Sequence, residues 1–170
     1  MNTNENNYKK LRSSLISSGP DEKTAIINGL RAEKPFEGVV LLIAEILENE
    51  SDSGVLEAAL RFLNDLKHQS LCQEVINAMN NTDNDLVMQK LTSSCWQSGL
   101  DYSEYLHHFI GWSVSKSYLV SLECYSLIEQ WVYKAGPDKR NKWKAQLRKA
   151  QPGMNTDRYK LTEAIIDLLD

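Results

Sequence analysis

Glycine and proline are scarce, at eight and four residues in a chain of 170. That is too few turn formers for the many tight connections of a β-sandwich or barrel. Long hydrophobic runs are missing too. The longest, Val39–Ala44, falls far short of the ~20 apolar residues that span a bilayer. Cysteine is limited to Cys72, Cys95 and Cys124, with no CxxC spacing. Scattered thiols in odd number, behind a polar amino-terminal stretch without an apolar leader, are expected of a reduced, cytoplasmic protein. The sequence also has no glycine-rich phosphate loop and no GxSxG. Nucleotide-dependent and triad-hydrolase chemistry therefore have no foothold.

What is present is helical periodicity. Hydrophobic residues make up 42% and charged residues 25%, the balance of an ordinary globular chain. At this length folding buries about 70% of the unfolded surface, enough for one independent all-helical domain over 1–170. Breaks fall at Gly19–Pro20, Lys34–Pro35, Glu50–Gly54, Asn80–Asp85, Gly99–Ser103, Gly136–Pro137 and Pro152–Gly153. Between them apolar residues recur three or four apart. The spacing predicts ten helices, over roughly 4–18, 21–33, 36–49, 53–67, 70–80, 84–98, 102–112, 117–134, 138–150 and 156–169. Asp21 and Asp138 sit where acids complement a helix dipole, and Asp101, Ser103 and Thr156 are candidate caps. In the last helix Leu161, Ala164, Ile165 and Leu168 form the expected apolar stripe.

The middle of the chain repeats. Shifted by 32, Ile43 falls on Val75, Leu47 on Met79, Val55 on Val87, Leu56 on Met88, Ala59 on Leu91 and Leu63 on Cys95. Shifted again by 33, Ile76 falls on Phe109, Met79 on Trp112, Val87 on Val120, Leu91 on Cys124 and Cys95 on Ile128. Acidic turns at 49–53 and 81–85 match as well. Each unit reads as a shorter helix, a polar turn and a longer helix. Such a pair buries its apolar face only by stacking on neighbours. The predicted core includes Leu60, Leu63, Val87, Leu91, Cys124 and Ile128.

The segments 52–63 (DSGVLEAALRFL) and 82–91 (TDNDLVMQKL) resemble the HEAT-repeat family, in which an acidic turn precedes a Val-x-x-x-Ala/Leu second helix. The likeness covers about residues 36–133. It departs from the family at the turns, which lack proline, and at Ser113–Lys116, where an acidic turn is expected. The resemblance implies an all-α fold, a short right-handed α-α superhelix. In it, three helix pairs (36–134) lie between a capping pair (1–35, with Ile26, Ile27 and Leu30 as core) and a divergent carboxy-terminal pair (135–170).

The candidate chemistry is thin. Glu104-x-x-His107 and Asp65-x-x-His68 have carboxylate–histidine spacing, but a di-iron site needs further glutamates from other helices. Both pairs read as surface side chains, so no metal and no cofactor are expected. Adjacency adds little for His107 and His108, since consecutive helical residues point about 100° apart. Cys95 and Cys124 occupy core positions, and Cys72 in a first helical turn is also read as structural.

Charge is more informative. Residues 134–149 hold seven basic residues and one acid, a net +6 in a chain of net −4. This helix has Trp143 and Leu147 as its inward anchors and its lysines outward. The stretch is read as a docking site for nucleic acid or an acidic peptide, as a contact with an anionic surface, or as a helix that neutralises its own acidic body. Among the aromatics, Phe109, Trp112 and Trp131 follow the core stripe. Trp96, Tyr118 and Tyr133 fall off it and are surface candidates.

In HEAT-like stacks the second helices line the groove. By register those positions are Ala58, Arg61 and Asp65, then Lys90, Ser93 and Gln97, then Glu123, Ser126 and Gln130. With Lys142 and Lys144, the residues Arg61, Asp65, Lys90, Gln97, Glu123 and Gln130 are the candidate partner-binding set. Their mixed charge suits a protein or peptide better than a phosphate backbone. The expected function is a non-enzymatic protein-interaction scaffold, without membrane attachment. The alternative is a nucleic-acid-binding protein resembling the HEAT-like DNA alkylation-repair glycosylases, which the mixed-sign groove and negative net charge rank second. Partner and oligomeric state are not written in the sequence.

Overall fold

The computed structural model describes residues 3–170; the first two residues of the polar start lie outside them. Among the described residues all regular structure is helical: α1 (Thr3–Ser17), α2 (Pro20–Leu30), α3 (Val39–Asn49), α4 (Ser53–Asn64), α5 (Cys72–Asn81), α6 (Asp85–Gln97), α7 (Leu106–Ser115), α8 (Tyr118–Trp131), α9 (Pro137–Ala150) and α10 (Thr156–Leu168), with short 3-10 turns at 69–71, 103–105 and 132–134. No described helix is long and apolar enough to cross a membrane.

Local chemistry sets the helix starts. Asp52 Oδ1 accepts the amides of Gly54 and Val55 at 2.9 and 3.0 Å, and Asn84 Oδ1 does the same for Leu86 and Val87 in α6. Each replaces hydrogen bonds that the first turn of a helix cannot make internally. Proline opens α2 and α9, with Asp21 and Asp138 in their first turns as expected. Asp101 Oδ1 accepts the Ser103 amide at 2.9 Å. The cap of α10 is Asn155, whose side chain takes the Arg158 amide, and not Thr156, which lies one residue inside the helix.

The chain forms two compact units, Met1–Leu100 and Asp101–Asp170. In the first, α1 pairs with α2, α3 with α4 and α5 with α6. The second helices α2, α4 and α6 pack in series, while α3 packs on α5. Arg12 of α1 reaches Glu45 of α3 at 3.4 Å. Polar bridges between successive pairs join residues 33 or 34 apart: Arg12 with Glu45, Arg31 with Asp65, Glu48 with Thr82, and Asn64 with Gln97. The entry to α3 is closed from its neighbours. Glu74 of α5 accepts the amides of Gly38 and Val40 at 3.0 and 3.3 Å. Gly38 has φ +92°, and a Cβ there would meet the Tyr8 ring of α1 at 2.8 Å.

The second unit uses the same connectivity. α7 pairs with α8 and α9 with α10, while α7 packs on α9 and α8 on α10. The pair after Gly136, expected to diverge, thus stacks first helix on first helix and second on second. Its core stripe is rotated from the expected one. Thr162, Ile165, Ile166 and Leu169 are buried, while Leu161, Ala164 and Leu168 are half-exposed. Packing on α8 selects the face that carries Thr162, whose hydroxyl is satisfied by the Arg158 carbonyl at 2.9 Å.

Of the residues matched by the sequence repeat, only Leu56 escapes burial. Leu63, Val87, Leu91, Cys124 and Ile128 are inside, but Leu60 is half-exposed because Ala58, Ala59 and Phe62 take the inward face of α4. In α2, Ile27 is buried, while Ile26 and Leu30 are half-exposed.

Candidate functional site

Of the expected groove residues in the first unit, Arg61, Asp65, Ser93 and Gln97 each have a partner within that unit. Ala58 is fully buried and offers nothing to a partner. Arg61 lies 3.6 Å from Glu57 on the same helix. Asp65 pairs with Arg31, just past the end of α2. Asn64, between them in sequence, donates to Gln97 at 2.9 Å and accepts from Ser94 at 2.8 Å; Gln97 in turn donates to Ser93 at 2.7 Å. Lys90 is half-exposed. Arg61, Asp65 and Gln97 are brought onto one α2–α4–α6 layer and are exposed there, each with a partner inside the unit.

The second unit presents a different surface. On α8, Glu123 and Ser126 are half-exposed and Gln130 is exposed. One or two turns earlier the outer side is apolar: Tyr118, Leu119 and Leu122 are exposed, Leu119 by 54%. Tyr159 of α10, which packs on α8, is exposed as well. The inner side of α8 is filled by Val120, Ser121, Cys124, Leu127 and Ile128. Leu119 and Leu122 are absent from the expected set because the repeat directs attention to buried positions. Their signal in the sequence is two leucines spaced i, i+3 off the core stripe.

Trp96, Tyr118 and Tyr133 are exposed, as their place off the stripe implies. Phe109 and Trp112 are buried, whereas Trp131 is half-exposed. Trp131 stacks on Tyr133 at 6.3 Å between centroids, and the Lys134 ammonium lies 4.8 Å from its ring. Lys134 also bonds Asp101 at 2.5 Å. Burial alone would raise the Asp101 carboxyl; the Lys134 ammonium and the Ser103 hydroxyl and amide outweigh it and hold the group down at about 2.

The basic helix splits by face. Leu147 is buried and Trp143 half-buried, and Lys142 faces solvent. Lys144 does not share that exposure. Its side chain is 15% exposed and its ammonium pairs with Asp170, because it points along α9 toward the end of α10. Arg140 Nη1 donates to the Asp170 carbonyl at 3.4 Å.

His107 and His108 depart from the expectation for neighbours on a helix. Their ring centroids are 4.2 Å apart, and His108 stacks on Trp112 at 5.2 Å. Side-chain torsions bring together rings whose Cα–Cβ bonds diverge. Burial, then the neighbouring His107, lowers the His108 basicity. Among the described residues no three His, Cys, Asp or Glu side chains converge on a point that would hold a metal. All three cysteines are buried; Cys72 Sγ accepts from Gln69 Nε2 at 3.3 Å, and Cys95 Sγ contacts the Leu91 carbonyl at 3.2 Å.

No family model, curated protein or solved structure matches the chain.

Proposed function

We propose that the protein is a non-enzymatic interaction scaffold of HEAT-like helix pairs forming a short α-α superhelix, and that it binds a protein or peptide. The architectural half of this reading draws on the bridges between residues 33 or 34 apart. Equivalent positions of successive helix pairs are neighbours in a stack, and the sequence repeats with nearly that period.

The observation that carries the functional half is the outer side of α8. Tyr118, Leu119 and Leu122 stand exposed beside Glu123 and Gln130. An exposed tyrosine such as Tyr118 is one of the residue types that most often anchor an interface, and Leu119 and Leu122 add apolar area that a partner would bury. The exposed polar residues Arg61, Asp65 and Gln97 of the α4 and α6 side already have partners within their own unit. Contact with a partner is assigned to α8.

The test is a paired capture experiment with the full chain and a Leu119→Glu/Leu122→Glu variant. Both positions are exposed, so the variant should fold with an unchanged circular dichroism spectrum. Partners retained by the parent chain and lost by the variant support the reading. Identical partner sets for the two chains sink it.

A further inference from the structure

The cations of α9 fall into two sets with different fates. Arg140 and Lys144 are tied to Asp170, and Arg148 adds to the positive field around that carboxylate. This set fastens α9 to the end of α10. The opposite side of the helix presents Lys139, Lys142 and Lys149, all exposed and without an anionic partner among the described residues.

Helix stability does not account for this second set. Lys149 lies in the last turn, where a cation complements the dipole, but Lys139 lies in the first, where it opposes it. Direct pairing does not account for it either: no carboxylate among the described residues approaches these three ammonium groups within salt-bridge distance. Lys142 and Lys149 are two helical turns apart on nearly one line, with about 10 Å of rise between them. Lys139 stands one turn before Lys142.

We propose that this face of α9 docks an acidic helical peptide segment whose carboxylates repeat about every 10 Å, as every seventh residue of a helix does. Charge complementarity selects the sign of the occupant. Two observations select a peptide over the other polyanions. Outside residues 134–149 the chain holds 12 basic against 22 acidic residues, so a long duplex meets repulsion beyond this strip, whereas a short segment touches only the strip. The face also offers no exposed aromatic or large aliphatic side chain to stack on a base or enter a bilayer; Trp143 is half-buried and Leu147 buried. This site is separate from the α8 contact, because α9 packs in series with α7 and α8 with α10.

The experiment measures fluorescence anisotropy of a labelled peptide carrying glutamate at every seventh position. Its glutamine counterpart, a short DNA duplex and phosphatidylserine vesicles serve as competitors for the full-length chain. The expected result is that the glutamate peptide binds at least about tenfold more tightly than the glutamine peptide at low salt, and that binding weakens as salt screens the contact. Lys142→Glu/Lys149→Glu should abolish that preference without changing the melting temperature. The milder Lys139→Gln/Lys142→Gln should reduce it, which keeps the test open if charge reversal disturbs folding. Leu119→Glu/Leu122→Glu should retain it, so that failure here and failure of the α8 contact are distinguishable. Equal affinity for the two peptides, an unaffected double variant, or tighter binding of the duplex or vesicles overturns the proposal.

Discussion

The two compact units solve the same packing problem and use their surfaces differently. In Met1–Leu100, loop and helix-end polar groups are consumed in bridges between successive pairs: Arg31 with Asp65, Glu48 with Thr82, Asn64 with Gln97 and Ser94, Glu74 with the first amides of α3. In Asp101–Asp170, Ser121 and Arg158 bridge the two pairs, whereas Asp101 with Lys134 and Lys144 with Asp170 each close a pair on itself. Of the eight exposed large hydrophobic side chains among the described residues, Tyr118, Leu119, Leu122, Tyr133 and Tyr159 belong to the second unit, which is the smaller of the two. Stacking therefore needs only the shared apolar stripe. Polar seams and exposed anchors are layered on top of it, and here they have been divided between units.

The sharpest break in that comparison comes from removing core volume on one side of it. Leu91 is fully buried in α6. Leu91→Ala should cost about 2–5 kcal/mol, the lost transfer energy plus the cavity left behind. Hydrogen exchange should then accelerate across α2 to α6 while α7 to α10 keep their protection. Equal loss of protection in both units would show that they unfold as one cooperative block and erase the distinction.

Gly38→Ala should have the next largest effect, about 1–3 kcal/mol, because an L-residue is strained at φ +92° and its Cβ would meet the Tyr8 ring at 2.8 Å. Combining it with Tyr8→Ala should cost less than the sum of the two single changes, since the clash is then counted once. Strict additivity in urea melts would remove Tyr8 from the account.

Much of the helical burial is legible in the amino-acid sequence, for a physical reason. Burial of a helix face is periodic, and a repeat aligns equivalent faces; every matched residue except Leu56 is buried. What a linear pattern does not carry is whatever depends on a side chain's partner across space. Asp65 has the register of a groove residue and is half of a bridge to Arg31. Lys144 has the same chemistry as its neighbour Lys142 and is tied to Asp170. Ala58 falls in the groove by register alone, yet its short side chain lets the neighbouring layer close over it. In α10 the choice between two adjacent stripes turns on Thr162, whose buried hydroxyl is satisfied by the helix itself. Hydropathy alone does not reveal that.

The polar seam of the first unit makes a pH-dependent prediction of intermediate size. Glu50 bonds Lys23 at 2.6 Å and accepts the amides of Asp52 and Ser51, which holds its carboxyl down at about 2 from an ordinary 4.5. A folded-state value below the unfolded one means the contribution is complete above the unfolded value. It is lost as pH falls from about 4.5 toward about 2. Glu50→Gln should therefore destabilise by about 1–2 kcal/mol at neutral pH, a charge-assisted set of hydrogen bonds reduced to neutral ones. The gap between parent and variant should close through that acid window. A gap that persists unchanged at the bottom of the window would mean that shape, not charge, sets the contribution of Glu50.

The smallest effect separates the two faces of α9 and so refines the comparison within the second unit. Lys144 keeps only 15% of its side chain exposed and points at Asp170, whereas Lys142 is exposed without an anionic partner among the described residues. Lys144→Glu places two carboxylates together at the end of α10 and buries most of the new charge. It should lower the melting temperature and raise hydrogen exchange in α9 and α10. Lys142→Glu changes the charge by the same amount in open solvent, where screening leaves little of it to act on the fold. Its melting temperature should match that of the parent chain. If the two substitutions shift it equally, the pairing with Asp170 contributes nothing and the split between a fastening face and a free face of α9 is wrong. If only Lys144→Glu shifts it, the exposed lysines are dispensable to the fold and available to a partner.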